Sequence, residues 1–376
     1  MRILYFSRGY TTHDRRFLAA IAESHEVWYL RLQDDAGRYE SRPVPAGVRV
    51  MDALTGGELS TPEQYVRLVP QFEAALAEVR PDVVHAGPIQ QCAWIAALAG
   101  ARPLLAVSWG SDVLVDADRD AFWNWVTRFT LGHAERVLAD CGEVAEKVER
   151  LGGIAPEKIV RFPWGIDLDA FRPGPDRLGI RSRLGWEDCA VAICTRSWEP
   201  IYGVLPLLEA FSLAHDRAPN LRLAMAGGGS LRPEVERAIS DRGLGASVWL
   251  PGVIPNDRLP DYFRAADIYV SFAASDGSSI SLLEAMATGL PAIVTDRASN
   301  REWIANSSSG ALAPFGDTSA MAAALLEMAE LADSRRREIA QCNRAIVESR
   351  ANWTRNVSKL LAAYEELPPQ PEQVNS

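Results

Sequence analysis

The chain has 376 residues, of which 48% are hydrophobic and 23% charged, and its net charge is −10. This length exceeds one ordinary hydrophobic core, so we expect two domains. The acidic balance argues against a nucleic-acid-binding surface, although one local apolar or basic face would still permit weak peripheral contact with a membrane.

The cysteines and the amino terminus bear on the compartment. Five cysteines are scattered along the chain without CxxC spacing, so neither a disulfide framework nor a zinc site is indicated. Residues 1–7 read as a strand and not as the apolar core of a signal peptide. The longest apolar run, residues 92–101, is about half of the ~20 residues that a membrane span needs. We therefore expect a cytoplasmic protein without a membrane anchor.

In the first half of the chain, short apolar runs alternate with amphipathic segments, which predicts a parallel sheet with crossover helices. The predicted strands cover residues 2–7, 26–30, 48–51, 83–87, 104–108, 136–139 and 159–162. The predicted helices cover residues 15–23, 61–79, 123–132 and 142–151. A polar stretch rich in Gly and Pro, residues 33–60, predicts a long loop around the third strand.

The second half repeats the alternation after a turn-rich linker at residues 174–176. Its predicted strands cover residues 190–195, 221–226, 248–253, 267–272 and 291–295. Its predicted helices cover residues 233–239, 318–331, 335–348 and 353–367. The polar tail, residues 368–376, has a composition typical of disorder.

Residues 275–291 are the stretch in which we expect the chemistry. Asp276 follows a predicted strand, a polar turn comes next, and a helix containing Glu284 continues to Gly289 and Pro291. Carboxyl ends of parallel strands bind ligands, and the free N–H groups of a helix N-terminus suit a phosphate.

The spacing of the two acids resembles the retaining glycosyltransferases of family 4, whose fold is called GT-B. In that family a Glu is followed eight positions later by a second Glu, on a helix that continues Ala-Met-Ala-x-Gly-Leu-Pro. Here Asp276 takes the first acidic position and Glu284 the second, and residues 285–291 match the continuation. Residues 163–173 likewise resemble the signature that closes the first domain of these enzymes.

Other family positions are matched only in part. Arg196 matches the Arg of a pair of cations that grips the donor diphosphate, but Tyr202 precedes Gly203 where the family has Lys. Trp109 stands where many members have a His, and the loop at residues 8–14 lacks the Gly-Gly pair that is common there.

The resemblance implies an α/β protein of two doubly wound, Rossmann-like domains facing a central cleft. Residues 1–173 would form the acceptor-side domain and residues 174–350 the nucleotide-sugar domain. Residues 351–367 would form a helix that crosses back to the first domain, before the disordered tail at 368–376.

The resemblance also implies a site. Arg196 and the N–H groups of the turn would hold the diphosphate, Glu284 the ribose hydroxyls, and Asp276 the donor sugar. Further donor contacts are expected from Gly277, Ser278, Ser279, Ile280, Gly252, Val253 and Tyr202. Acceptor-side contacts are expected from Gly9, His13, His85, Trp109 and Asp112. No cofactor is implied, and because the family is metal-independent and no convincing metal cluster is visible, we expect no metal.

Simpler interpretations remain open for these residues. Glu284 with Ser281 also fits a capping box, and Asp276 with Gly277 also fits an ordinary turn. Arg196 also fits a surface position, and Trp109 also fits a half-buried aromatic beside a turn. The pairs Asp116 with Asp118 and Asp167 with Asp169 mimic a metal motif by chance, and Gly227–Gly229 lacks dinucleotide-loop spacing.

The resemblance therefore implies a retaining glycosyltransferase that uses a nucleotide-sugar, with a UDP-sugar as the expected donor. The acceptor could be a small molecule, a lipid-linked sugar or a glycan, because acceptor recognition lies in variable loops. Two alternatives are a nucleotide-sugar epimerase on the same fold and a non-catalytic nucleotide-sugar-binding protein. UDP release with and without acceptors distinguishes all three.

Overall fold

A computed structural model describes residues 1–34 and 40–368, and they form two compact units. Unit 1 consists of Met1–Pro163 together with the residues from Arg355 onward, and unit 2 is Trp164–Thr354. Residues 35–39 of the predicted long loop, and all of the predicted tail except Pro368, lie outside the described residues.

Unit 1 is built on a sheet of seven strands in which every pairing is parallel. The strands are β1 (Arg2–Ser7), β2 (Glu26–Arg31), β3 (Val48–Val50), β4 (Val83–Gly87), β5 (Leu104–Val107), β6 (Arg136–Ala139) and β7 (Ile159–Arg161). Their order is β3-β2-β1-β4-β5-β6-β7. Strands β2 and β3 are therefore added on one side of β1, and the strands from β4 onward on its other side.

The helices of unit 1 cover both faces of this sheet, as a buried parallel sheet requires. They are α1 (Thr12–Ala22), α2 (Pro62–Val66), α3 (Val69–Val79), α4 (Trp94–Leu98), α5 (Ser111–Leu114), α6 (Ala121–His133) and α7 (Gly142–Gly152). Where one helix over residues 61–79 was predicted, the structure has two, α2 and α3. Pro70 explains the break, because it cannot donate a backbone hydrogen bond to the preceding turn.

Unit 2 has a six-stranded parallel sheet in the order β10-β9-β8-β11-β12-β13. The strands are β8 (Ala190–Cys194), β9 (Leu221–Ala226), β10 (Val248–Gly252), β11 (Ile268–Ser271), β12 (Ala292–Thr295) and β13 (Gly310–Ala313). Alternate residues of β8 belong to separate apolar clusters, Ala192 to one and Ile193 to the other. The sheet is therefore buried on both faces.

The helices of unit 2 complete the alternation. They are α8 (Ile180–Leu184), α9 (Val204–His215), α10 (Arg232–Asp241), α11 (Leu259–Arg264), α12 (Ile280–Thr288), α13 (Ala298–Arg301), α14 (Thr318–Ala329) and α15 (Asp333–Arg350). Helix α9 was not predicted from the sequence. Its exposed side also carries apolar residues, such as Leu213, which is 42% exposed, so the sequence lacks the one-sided pattern by which a helix is recognised.

The last helix, α16 (Trp353–Glu365), belongs to unit 1 from Arg355 onward. Asn356 donates to the carbonyl of Pro163, and Arg136 forms an ion pair of 2.8 Å with Glu366. The change from unit 1 to unit 2 falls at Pro163, before the boundary at residue 173 expected from the sequence. Residues 164–173 pack with unit 2, where Ile166 donates its backbone N–H to Ala351.

The apolar run at residues 92–101 contains α4, whose side chains are mostly buried in the unit 1 core. Across residues 1–34 and 40–368, no helix combines the length and the apolar composition that crossing a membrane requires.

Candidate functional site

The candidate site lies at the carboxyl ends of the central strands of unit 2. Strands β8 and β11 are neighbours, and from this pair the chain progresses outward in opposite directions. A sheet of this kind binds ligands in the crevice at that reversal point. Arg196 follows β8, Asp276 follows β11, and α12 begins at Ile280.

The Arg196 guanidinium is the centre of this arrangement. It forms an ion pair of 2.9 Å with the Asp276 carboxylate. Its Nη1 donates to the Oγ atoms of Ser279 and Ser281 at 3.1 Å each, and its Cζ lies 4.1 Å from the centroid of the Tyr202 ring. The side chain is 10% exposed, so the alternative that Arg196 is an ordinary surface residue is wrong.

The charged form of the Arg196 side chain is strongly favoured over the neutral form. Burial acts against the charged form, but the Asp276 carboxylate, with smaller contributions from Tyr202 and Tyr269, raises the pKa of Arg196 above its usual value. The guanidinium is therefore a permanent cation at this edge of the sheet.

Helix α12 points its N-terminus at the same place. Ser279 is the N-cap residue, but its Oγ makes no capping hydrogen bond to the backbone and bonds to Arg196 instead. Helix N-termini carry partial positive charge, and an anion can be bound by their first N–H groups. Arg196 and the first turn of α12 together form a cationic corner.

Glu284 lies on α12, one turn further in, and is only 4% exposed. Its Oε1 accepts a hydrogen bond of 3.1 Å from Nδ2 of Asn256, in the loop after β10. The capping-box alternative is wrong because α12 begins before Ser281, whose Oγ bonds to Tyr269 at 2.7 Å and to Arg196. Glu284 is thus a buried carboxylate inside a helix rather than a cap.

Three predicted donor-side residues lie in the loops next to this corner. Tyr202 stacks on Arg196, and a Cβ on the following Gly203 would be 2.0 Å from the Phe272 carbonyl oxygen. Only glycine allows the loop after β8 to approach β11 so closely. Gly252 ends β10, and the next residue, Val253, is 74% exposed, so a large apolar side chain faces solvent at this edge.

Several buried polar atoms at this edge have no hydrogen-bond partner in the part of the chain that the structure describes. They lie at the carboxyl ends of β8, β11 and β12 or in the loops after them, and are Thr195 Oγ1, Arg196 Nε, Trp198 Nε1, Ser275 Oγ, Thr295 Oγ1 and Asn300 Oδ1. Buried polar groups in proteins are nearly always paired, with protein, water or ligand. Their concentration here favours a polar ligand at the carboxyl edge of this sheet.

Sequence reasoning did not identify Asn256, Ser281 or Tyr269 as parts of this site. Asn256 is 28 residues from Glu284 in sequence, and no spacing pattern connects the two. Tyr269 is a buried strand residue whose apolar neighbours indicate only a core position.

Two predicted acceptor-side residues are buried in unit 1. His85 stacks on Tyr5 at 4.4 Å, and its Nδ1 lies 2.6 Å from the Tyr364 hydroxyl. Asp112 accepts hydrogen bonds from the Ser108 hydroxyl and from the backbone of Ile89, Trp109 and Val113. Both side chains are buried and already hydrogen-bonded within unit 1, and their assignment to the acceptor side stays a prediction.

The remaining acceptor-side residues lie at the carboxyl ends of β1 and β5. The carbonyl of Gly9 accepts hydrogen bonds from Ser7 at 3.0 Å and from Tyr29 at 2.9 Å. The rings of His13 and Trp109 are 5.5 Å apart, although 96 residues separate them in the chain (109 − 13 = 96). The structure therefore brings two of the predicted residues together.

Across residues 1–34 and 40–368, no three His, Cys, Asp or Glu side chains group so that they could hold a metal ion. Asp118 pairs with Lys147, and Asp167 accepts from the backbone of Asp169 and Ala170. These acidic pairs therefore have local structural partners.

Two protein-family models match the chain. The model of the glycosyl transferases group 1 matches residues 180–345, and that of the glycosyl transferase 4-like domain matches residues 8–165. Each match corresponds closely to one of the two units described above.

Characterised relatives give a consistent class of activity. The chain is 25% identical to a GDP-mannose-dependent alpha-(1-6)-phosphatidylinositol monomannoside mannosyltransferase of Mycolicibacterium smegmatis, over 87% of each chain. It is 30% identical to a D-inositol 3-phosphate glycosyltransferase of Geodermatophilus obscurus. That second alignment covers 62% of this chain and only 53% of the relative.

Solved structures share the fold. Anabaena Alr3699/HepE, solved in complex with UDP and glucose, superposes with a TM-score of 0.81 at 18% identity, covering 98% of this chain and 100% of that one. Sucrose-phosphate synthase of Thermosynechococcus elongatus gives 0.81 at 19% identity, covering 97% and 99%. At such identities the likeness shows the fold alone.

Proposed function

Because the chain belongs to the glycosyl transferases group 1 and has the GT-B fold, we propose that it transfers a sugar from a UDP-sugar to an acceptor hydroxyl with retention of configuration. The fold and the family predicted from the sequence are confirmed. The identity of the donor, the stereochemistry of the transfer and the identity of the acceptor are proposed.

The corner formed by Arg196 and the N-terminus of α12 carries this proposal. A diphosphate at this place would meet a buried guanidinium and the first N–H groups of a helix of nine residues. Glu284, oriented by Asn256, would accept hydrogen bonds from the ribose hydroxyls. Asp276 would accept hydrogen bonds from the donor sugar.

The chemistry follows from where charge develops. In a retaining transfer, the bond from the anomeric carbon to the diphosphate oxygen breaks as the acceptor oxygen bonds on the same face. The acceptor proton passes to the departing diphosphate oxygen. Negative charge therefore grows on the diphosphate, where fixed cations and dipoles stabilise the transition state. We propose that Arg196 and α12 do this without a divalent metal.

A second donor, GDP-mannose, is favoured by one observation. The relative that aligns over 87% of each chain is named as GDP-mannose-dependent, whereas the HepE structure contains UDP and glucose. The base of either nucleotide would lie near Val253, whose exposed apolar side chain offers hydrophobic contact and no base-specific hydrogen bond. UDP remains the proposed nucleotide, with GDP as the competitor in the same assay.

The acceptor is proposed to be a small molecule, a lipid-linked sugar or a glycan. The names of two relatives refer to D-inositol 3-phosphate and to phosphatidylinositol monomannoside. We also propose a cytoplasmic location, with weak peripheral membrane contact if the acceptor is a lipid.

The test is a nucleotide-release assay with a panel of UDP- and GDP-sugars, with and without cyclitol, glycan and lipid-linked acceptors. Acceptor-dependent UDP release, with a product of unchanged anomeric configuration by NMR, is the expected result. Inverted configuration contradicts the retaining mechanism. Conversion of the donor sugar without an acceptor indicates an epimerase, and binding without turnover indicates a non-catalytic protein.

A further inference from the structure

Unit 1 has a strand-order reversal of its own, and the space among the loops beside it is called the unit 1 crevice below. The order of its strands reverses between β1 and β4, and the loops that follow β1, β4 and β5 lie next to one another there. Ligands bind at such reversal points in open parallel sheets. The side chains at this crevice indicate which class of ligand it suits.

These loops are held in place by hydrogen bonds within unit 1. The Asp112 carboxylate connects the loop after β4 to the loop after β5, because it accepts from the backbone of Ile89 and of Trp109 at 3.0 Å each. On the other side, Thr11 and Asp14 form a capping box at the start of α1. A crevice whose loops are fixed before binding loses little entropy when a ligand enters.

Trp109 offers a flat apolar face at this crevice. Its indole lies edge-on to Phe17, with 6.3 Å between ring centroids, and is half-buried. It lies close over the end of β4, where a Cβ on Gly87 would be 3.2 Å from the indole Nε1 and 2.5 Å from the Val107 carbonyl oxygen. Gly87 therefore makes room for this placement of the indole.

His13 adds one defined polar group next to that face. Nη2 of Arg16 lies 3.3 Å from His13 Nδ1. A guanidinium can only donate, so Nδ1 accepts and the proton of the neutral ring is on Nε2. Burial, together with the charge of Arg16, lowers the pKa of His13 to about 3, so the ring is neutral near pH 7.

Nε2 of His13 is available to a ligand. It has no acceptor within the described residues and is not among their enclosed unpaired polar atoms. As an N–H donor it can hold an oxygen in place, but it has no lone pair with which to take a proton. His13 is therefore a positioning residue and not a general base.

We propose that the His13 and Trp109 side chains form a subsite for a ring polyol, a sugar or cyclitol, whose C–H face stacks on the indole and whose hydroxyl accepts from His13 Nε2. A ring polyol combines an apolar face with hydroxyls at its rim, which matches this pairing of a flat apolar surface with one donor. A cationic ligand is disfavoured by Arg16. The assignment rests on the proposed function in one respect, namely that this polyol is the acceptor.

Saturation-transfer NMR tests the subsite with methyl α-mannoside and myo-inositol as ring polyols and glycerol as an open-chain polyol. We expect saturation of the ring C–H protons in the wild type, little on glycerol, and a loss of at least about fivefold in affinity in Trp109→Ala. Trp109→Phe should retain part of the binding. Trp125→Ala is the matched control, because Trp125 is 50% exposed on α6 of the same unit.

His13 is tested by variants that differ in hydrogen-bonding capacity. His13→Ala should weaken ring-polyol binding about fivefold or more, and His13→Gln, which keeps an N–H donor, should recover most of it. In the transfer reaction, His13→Ala should raise the KM for the polyol acceptor more than it lowers kcat, and His13→Gln should reverse most of that rise. Loss of a general base would instead lower kcat in both variants. UDP affinity and melting temperature, measured for every variant, show that the fold is intact.

Some outcomes overturn the subsite and others only the proposed function. Binding of the ring polyols by Trp109→Ala as by the wild type, equal saturation of glycerol, or no saturation of either ring polyol by a wild type that binds UDP would each overturn the subsite. Polyol binding that depends on Trp109, with no UDP-sugar bound or turned over, would leave the subsite and refute the transfer reaction.

Discussion

The Arg196 guanidinium and the Asp276 carboxylate are 2.9 Å apart, so the cation that we assign to the donor diphosphate already has an anionic partner. A diphosphate arriving at this corner must share Arg196 with Asp276 or displace it. Asp276 therefore has two opposing effects, since it weakens binding of the nucleotide and, in the proposed reaction, binds the sugar.

Asp276→Asn is predicted to separate these effects. Removing the competing carboxylate should tighten UDP binding about threefold to tenfold, or ~0.7–1.4 kcal/mol, while sugar transfer falls at least about tenfold. Calorimetry with UDP and a transfer assay measure the two. Glu338→Gln is the control, because it removes an ion pair of the same 2.9 Å length, with Arg335 on α15. Weaker UDP binding in Asp276→Asn would show that the carboxylate does not compete.

Arg196→Ala is predicted to weaken UDP binding by about tenfold to a hundredfold, because one or two charge-assisted contacts of ~1.5–3 kcal/mol are lost. Arg196→Lys should fall in between, since it keeps the charge without the forked geometry. Arg335→Ala serves as the surface control. Calorimetry in which Arg196→Ala binds UDP as tightly as the wild type would remove Arg196 from the site.

Glu284→Gln is predicted to lower UDP-sugar affinity about tenfold or more, ~1.4 kcal/mol, with the melting temperature changed by only a few degrees. Gln has the same length but cannot accept two hydrogen bonds with a full negative charge. Asn256→Ala should give a smaller loss in the same direction, because it removes the hydrogen bond that orients Glu284. A large loss of stability with unchanged affinity would instead assign Glu284 a structural role.

Sugar transfer is predicted to be independent of divalent metal. Arg196 and the first turn of α12 supply the positive charge that a metal ion would otherwise place on the diphosphate. Activity should therefore survive EDTA unchanged. Loss of activity in EDTA, with recovery on adding Mg²⁺ or Mn²⁺, is the contradicting result.

His85 is predicted to make stability fall in mild acid. Burial lowers its pKa from 6.5 to about 3, so below pH 6.5 the unfolded chain binds a proton that the folded chain does not. Stability therefore decreases as pH falls from 6.5 toward 3, by ~2 kcal/mol at pH 5. Asp14, whose pKa burial raises to about 6, has the opposite sign.

The comparison of wild type with His85→Gln isolates this effect, because Asp14 is present in both. Urea unfolding at pH 7 and pH 5 should show a smaller loss of stability in the variant. Equal losses would mean that His85 titrates alike in the folded and unfolded chains.

The strands were predictable because buried parallel strands are short apolar runs between turns, and β1 and β9 have the predicted bounds. The helices were less predictable than the strands, as the break at Pro70 and the unrecognised α9 show. The break follows from the missing N–H of Pro70, whereas α9 was not recognised because its exposed side is also apolar.

The site was predictable as a list of residues and not as a geometry. Sequence placed Arg196, Asp276 and Glu284 at one edge, but it could not show the ion pair between the first two or the hydrogen bond from Asn256. His85 was assigned to the acceptor side because it lies near a strand end. Its burial depends on Tyr364, a residue 279 positions away.

Unit 1 is made from both ends of the chain, and this arrangement bears on the order of biosynthesis. A ribosome completes the contiguous unit 2, residues 164–354, before it adds the segment from Arg355 that contains Tyr364. Until then, the seven strands of the first unit lack the helix that covers His85 and Tyr5. The first unit to be synthesised is therefore the last to be completed, and a nascent chain stopped at Thr354 would expose an aromatic surface for chaperones to bind.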